Sequence, residues 1–203
     1  MTKALIKNDP RLMTETDLQA AAKRSGIPLA AIKALFDIEA PRGAFNADGT
    51  PSILFERHKF YEGLIKIKWI TKAKEWAKAY PDICNPLSGG YGTYSAQNAR
   101  LDKAAKLNRD VALESTSWGC GQVMGFNWQS LGYDSIQHFI NKMYESEAAQ
   151  FEAVLKYIEV NNLKRHILNK NWDAFALGYN GPLYKKNNYA TRLAAAYKGH
   201  GGT

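Results

Sequence analysis

The sequence predicts a predominantly α-helical α+β fold with one small β-hairpin at about 44–56. Three observations carry that reading. Apolar residues recur at three- and four-residue intervals through most of the chain, with strong helix formers between them. Strand signal is confined to Ser52–Phe55, a short apolar and partly β-branched run. Asp48-Gly49, just before it, is a hairpin turn signal.

Taken in order, Thr14 and Asp17 form a capping box that opens a helix stopping near Gly26. Pro28 then sits in the first turn of a second helix that runs to about Glu39, where Pro41 and Gly43 end it. The hairpin follows. Residues 58–80 return to helix, with Trp69 and Trp76 on one face, and Pro81 to Gly92 is a proline- and glycine-rich loop. Further helices are expected at 95–109, 135–145, 147–161, 171–179 and 187–198. No repeat, linker or low-complexity tract divides the chain, so residues 1–203 are expected to form a single domain.

At 203 residues, with 45% apolar and 12% aromatic content, the chain is long enough to bury a core. No run approaches the ~20 apolar residues that cross a bilayer, and the opening MTKALIKNDPRLM lacks the apolar core of a signal peptide. Residence in the cytoplasm where it is made is the expectation. Cys84 and Cys120 have no CxxC or histidine pair near them, which argues against a zinc knuckle or a disulfide framework and for two free thiols. A net charge of +8 and a pI near 9.4 imply attraction to a polyanion: nucleic acid, an anionic membrane surface or an acidic cell-wall polymer. The lysines are spread along the chain (Lys66, Lys68, Lys72, Lys74, Lys78, then Lys185, Lys186, Lys198), which weighs against a dedicated nucleic-acid binder.

One carboxylate stands in an unexpected place. Ile32, Leu35, Phe36 and Glu39 follow the i, i+3, i+4, i+7 pattern, so Glu39 lies on the apolar stripe of the second helix. It also falls in the last turn, where exposed carbonyls disfavour a negative charge by about 0.3–1 kcal/mol. Desolvation and dipole both favour the protonated acid, and a carboxylic acid able to donate a proton near neutral pH suits glycoside hydrolysis. The alternative is a frayed helix end with Glu39 turned to water. Asp48, in the hairpin turn, either faces Glu39 across a cleft and polarises a water or only shapes its turn. Glu56, Arg57 and His58 form a further polar cluster that serves either as an ion-paired structural corner or in catalysis, the corner being the favoured reading.

The runs IEAPRGAFNADGTPSILFERHKFY, TSWGCGQVMGFNW and FALGYNGPLY, in that order, resemble the N-acetylmuramidase catalytic domain of phage endolysins, within the lysozyme-like superfamily. The likeness covers about residues 15 to 198 and implies a lysozyme-like fold. Glu39 falls on the family's catalytic glutamate, although the family's usual following serine is replaced here by Ala40-Pro41. The second and third runs are also similar to goose-type lysozymes and soluble lytic transglycosylases. There a glycine-x-x-glutamine-x-methionine segment (here Gly119, Gln122, Met124) and a tyrosine-asparagine-x-glycine segment (here Tyr179, Asn180, Gly181) line the sugar cleft. Gln122 and Asn180 offer donors and acceptors for acetamido groups, and Tyr179 and Trp118 offer flat apolar surface. Packing is the alternative for Trp118, Met124 and Phe126. Ser117 and Glu56 complete the candidate substrate-binding set, with Glu39 and Asp48 as the candidate catalytic pair.

The resemblance implies hydrolysis of the β-1,4 bond between N-acetylmuramic acid and N-acetylglucosamine in bacterial peptidoglycan. It further implies a monomer without metal or cofactor and without a nucleic-acid partner. The protein would be held in the host bacterial cytoplasm until another phage protein opens the membrane. No separate cell-wall-binding domain is expected. A lytic transglycosylase leaving 1,6-anhydro ends is the first rival, and a non-catalytic basic wall-binding module is another. A peptidase using Cys120 or the histidines His58, His138, His166 and His200 lacks any HExxH-like spacing. The C-terminal stretch NNYATRLAAAYKGHGGT, with Arg192 and Lys198, either makes weak contact with an anionic outer membrane or packs Leu193 and Tyr197 on the domain.

Overall fold

A computed structural model of the protein describes residues 9–40, 43–182 and 184–203. Helix α1 (Glu15–Ser25) opens on the expected capping box. Asp17 N–H donates to the Thr14 hydroxyl, and Thr14 N–H donates back to the Asp17 carboxylate. The helix ends on Gly26 in the left-handed region, φ 63°. Helix α2 (Leu29–Glu39) starts from Pro28 as its N-cap and buries Ala31, Ile32, Ala34 and Leu35. Phe36 meets Phe151 edge-on at 5.5 Å. This apolar anchoring fixes the place of the helix's last residue, Glu39. The expected stop at Pro41 lies outside the described residues.

Residues 44–52 fold back as a tight hairpin loop. Ser52 N–H donates to the Ala44 carbonyl, Asn46 N–H to the Thr50 carbonyl, and Phe45 bridges Pro51. The strand that follows, β1 (Ile53–Phe55), finds its partner far along the chain. It pairs antiparallel with β2 (Thr116–Trp118), which pairs with β3 (Val123–Met124), so that Ile53 faces Trp118 and Ser117 faces Met124. The sequence marks only the first of these strands, because the other two are very short and are separated by glycines.

Where the sequence suggests one helix over 58–80, the structure has two, α3 (Arg57–Lys66) and α4 (Ile70–Ala79). Lys68 takes the left-handed conformation, φ 67°. Trp69 N–H then closes on the Leu64 carbonyl at 2.8 Å and Lys68 N–H on Ile65 at 3.0 Å. That is a Schellman stop with lysine in the position glycine usually fills, which is why composition does not announce it. Helices α5 (Gln97–Ala105), α7 (Ile136–Glu145), α8 (Glu147–Val160), α10 (Trp172–Asn180) and α11 (Tyr189–Gly199) fall where periodicity places them. Two short ones, α6 (Arg109–Glu114) and α9 (Lys164–Leu168), are not anticipated.

Helix α8 runs through the core, burying Phe151, Ala153, Val154 and Ile158. Its Gln150, also buried, joins three segments around the future site. The side-chain oxygen accepts from Cys120 N–H at 2.7 Å, and the amide nitrogen donates to Ala44 and Met143 carbonyls at 3.2 and 2.8 Å. Buried amides satisfied in this way are costly to unmake.

Gly125, just after β3, sits against backbone: an added Cβ would lie 2.2 Å from the Leu113 carbonyl oxygen and 2.9 Å from Glu114 Cα. Gly125→Ala is therefore expected to destabilise by about 1–3 kcal/mol, lowering the thermal midpoint by roughly 2–10 °C for a domain of this size. Circular dichroism melting checks it, and an unchanged midpoint would show that this packing is looser than described.

Candidate active site

Glu39 leaves the end of α2 partly buried, and two phenols from distant elements meet its carboxyl. Tyr189, from the first turn of α11, donates to Oε1, and Tyr179, from α10, donates to Oε2 at 3.3 Å. The two tyrosines stack with Phe175: ring centroids are 5.4 Å apart for Phe175 and Tyr179 and 6.0 Å for Tyr179 and Tyr189, while Tyr157 closes edge-on at 5.6 Å. A rigid aromatic wall thus backs one acid. His200 Nε2 lies 2.7 Å from Asp37 Oδ2, latching the end of α11 to α2.

Burial pushes the Glu39 acid up from an ordinary 4.5 to about 7, against the opposing pull of the Tyr189 and Tyr179 hydrogen bonds and the Arg192 charge. Burial of the two phenols, together with the neighbouring carboxylate, raises both of them well above the usual tyrosine range, so they remain donors throughout.

Two cavities meet at this acid. One, of about 310 Å³, is lined by Glu39, Gln122, Met124, Phe126, Tyr157 and Asn180, among others. The second, of about 190 Å³, is bounded by Glu39, Ser52, Tyr94, Gly119, Cys120 and Gln122. Sharing Glu39 and Gln122, they form one groove that passes the acid on both sides. A larger cavity of about 450 Å³ between α1, α7 and α8 lacks this character. Its Arg24 is paired with Glu152 at 2.8 Å, its Lys142 with Glu145 at 2.6 Å, and its Asp17 is held in the α1 cap.

A family model for N-acetylmuramidase matches residues 28–201. The chain belongs to the N-acetylmuramidase family. The crystal structure of a Burkholderia AP3 phage endolysin is similar to this muramidase, with a TM-score of 0.87 at 38% identity, over 96% of this chain and 73% of that one. No curated protein matches the chain. By its family the protein is a glycoside hydrolase that acts on peptidoglycan, and its lysozyme-like fold agrees.

Of the residues expected from the sequence of this muramidase, Glu39, Gln122, Met124, Tyr179 and Asn180 meet in the groove. Gln122 is more constrained than expected. With a left-handed backbone (φ 48°), it donates to the Gly119 and Ser52 carbonyls at 2.8 and 3.3 Å and accepts from Ser117 Oγ at 3.0 Å. Gln122 and Ser117 thus knit the strands that floor the groove. Asp48 does not face Glu39: it is exposed, accepts from the Thr50 hydroxyl and N–H at 2.6 and 3.0 Å, and is held below the usual carboxylate range by those bonds. Glu56 turns to His58 Nε2 at 3.5 Å, the ion-paired corner, outside both cavities. Trp118 is core, its indole N–H donating to Leu113, whereas Phe126 is exposed on the groove, the reverse of the core-like reading.

Tyr157, Tyr94 and Asn127 also line the groove and Tyr189 holds its acid, and the sequence does not single them out. For Tyr189 the available signal was its place on the apolar stripe of α11 with Leu193. Both cysteines are free and buried. Burial raises the Cys120 thiol far above its ordinary range, which removes its nucleophilic form.

Because folded Glu39 holds its proton up to about pH 7 and the unfolded chain releases it near 4.5, the folded state binds more protons between those values. Stability contributed by that proton is present below about 4.5 and is lost as pH rises through 7. Across this window wild type should lose up to about 3 kcal/mol relative to Glu39→Gln. Urea unfolding of both proteins at pH 5 and pH 8 measures the difference, and parallel pH dependences would contradict a raised acid.

Proposed function

We propose that this chain is the catalytic domain of a phage endolysin and that Glu39 protonates the glycosidic oxygen between N-acetylmuramic acid and N-acetylglucosamine. The supporting observation is one carboxylic acid held near neutral pH at the centre of a groove. A glycosidic oxygen is a poor leaving group until protonated, and an acid whose pKa matches the working pH transfers its proton most effectively. Tyr189 donates to Oε1 and Tyr179 to Oε2 at 3.3 Å, so both carboxyl oxygens are oriented by the aromatic wall. Asn180, Asn127 and Tyr94 supply polar edges for sugar hydroxyl and acetamido groups, and Phe126 and Tyr157 supply apolar surface.

Among the described residues that line the groove, Glu39 is the single carboxylate. That favours attack at the anomeric carbon assisted by the substrate's own acetamido oxygen, with water completing hydrolysis and Asp48 limited to shaping its loop. The same observation supports a second reading, in which the muramyl 6-hydroxyl attacks instead and Glu39 serves as acid and then base.

On purified peptidoglycan, Glu39→Gln is expected to lose about 10²–10⁴-fold in rate while keeping its circular dichroism spectrum. Retained clearing would remove Glu39 from the chemistry. Mass spectrometry of the digest separates the two readings: reducing muramic-acid ends support hydrolysis, and ends lighter by one water support transglycosylation. Wild-type activity should fall as pH rises through about 7. Tyr189→Phe removes a bond that favours the carboxylate, so its alkaline limb should move to higher pH. A limb that stays in place would mean that Tyr189 does not act on the acid.

A further inference from the structure

The turn between α3 and α4 presents a surface that the groove does not use. Its left-handed Lys68 reverses the chain and leaves Ile67, Trp69 and Ile70 side by side, 41, 43 and 45% exposed. Trp76, one turn and more along α4, braces Trp69 edge-on at 6.2 Å. Large apolar side chains standing together at the tip of a helical hairpin are an unfavourable arrangement in water unless something covers them.

The same segment concentrates charge. Lys66, Lys68, Lys72, Lys74 and Lys78 face only one carboxylate between residues 66 and 78, Glu75, which pairs with Lys72 at 3.3 Å. A shallow concavity is lined by Lys68, Trp69, Ile70, Thr71 and Lys72, so ammonium groups and apolar surface border one hollow. Ten-residue α3 carries this tip about 15 Å along its axis from Arg57, next to β1, and none of these residues lines either cavity at Glu39.

We infer that the α3–α4 tip docks on an anionic phospholipid bilayer. An indole and two isoleucines ringed by lysines match the boundary between headgroups and acyl chains: the apolar side chains enter while the ammonium groups stay with the phosphates. Each lysine near such a surface adds to the attraction, and salt screens it. A sugar-binding patch would use the indoles but gain little from the isoleucines beside them. Helix α11 is less suited to the role, because its Tyr189, Ala190 and Leu193 are buried against the domain.

The test uses sedimentation with phosphatidylcholine vesicles, with and without phosphatidylglycerol. The wild-type protein should sediment with the anionic vesicles, remain free of the neutral ones, and be released by added salt. Trp69→Ser with Ile70→Ser should weaken binding at least tenfold, as should Lys72→Glu with Lys74→Glu. Serine is a good N-cap and Trp69 is the N-cap of α4, so the first pair leaves the helix intact. Both variants should hydrolyse purified peptidoglycan at the wild-type rate. Undiminished vesicle binding by the variants would overturn the proposal, as would equal binding to neutral vesicles. A matching loss on purified peptidoglycan would identify the tip as a glycan contact, and loss of binding in Lys185→Glu with Lys186→Glu alone would move the membrane face to the C-terminal region.

Discussion

One carboxyl group organises this molecule: Glu39 at the end of α2, gripped by the phenols of Tyr179 and Tyr189. The helix that carries it is anchored by four buried apolar residues, which fixes where the carboxyl leaves the backbone. Burial favours the proton, and the phenols oppose it by stabilising the anion. The balance of the two sets an acid poised near neutrality. Burial alone would push it higher, and the hydrogen bonds alone would hold it below the ordinary carboxylate range.

The rest of the fold serves that balance from both sides. Gln150 on α8 ties the loop at Ala44 to the strand connection at Cys120, and Gln122 ties that connection to Ser52, so one hydrogen-bond network joins the floor of the groove. Glycines make these approaches possible. Gly119 has φ 71° and no room for a Cβ against the Gln150 side chain, which lies 2.6–2.8 Å from where one would stand. On the opposite side, α11 closes over α2, delivers Tyr189 and is held by the His200–Asp37 pair. This stretch packs Leu193 and Tyr197 on the domain, one of the two roles its sequence allows, and forms a wall of the site.

What was legible in the sequence was local. The capping box at Thr14 and Asp17 depends on three residues' spacing, and the position of Glu39 on an apolar stripe depends on helical periodicity, so both could be read directly. Strands β2 and β3 are too short for alternation to register, and β1, which pairs with β2, lies some sixty residues away. Asp48 was a reasonable candidate by distance along the chain, yet the turn it initiates satisfies it through Thr50 and leaves it exposed. Tyr189 stands 150 positions from Glu39, and no spacing rule links the two. The break at Lys68 was hidden because a lysine there adopts a conformation that composition assigns to glycine.

The central claim concerns the protonation of one group, and it can be observed directly. Carbon-13 NMR of selectively labelled glutamate side chains, with the Glu39 resonance assigned by its absence in Glu39→Gln, follows the carboxyl through a pH titration. The account predicts a midpoint near 7, separated from the other glutamates. A midpoint near 4.5 would contradict it, because Glu39 would then be an ordinary carboxylate with no proton to donate where the enzyme works.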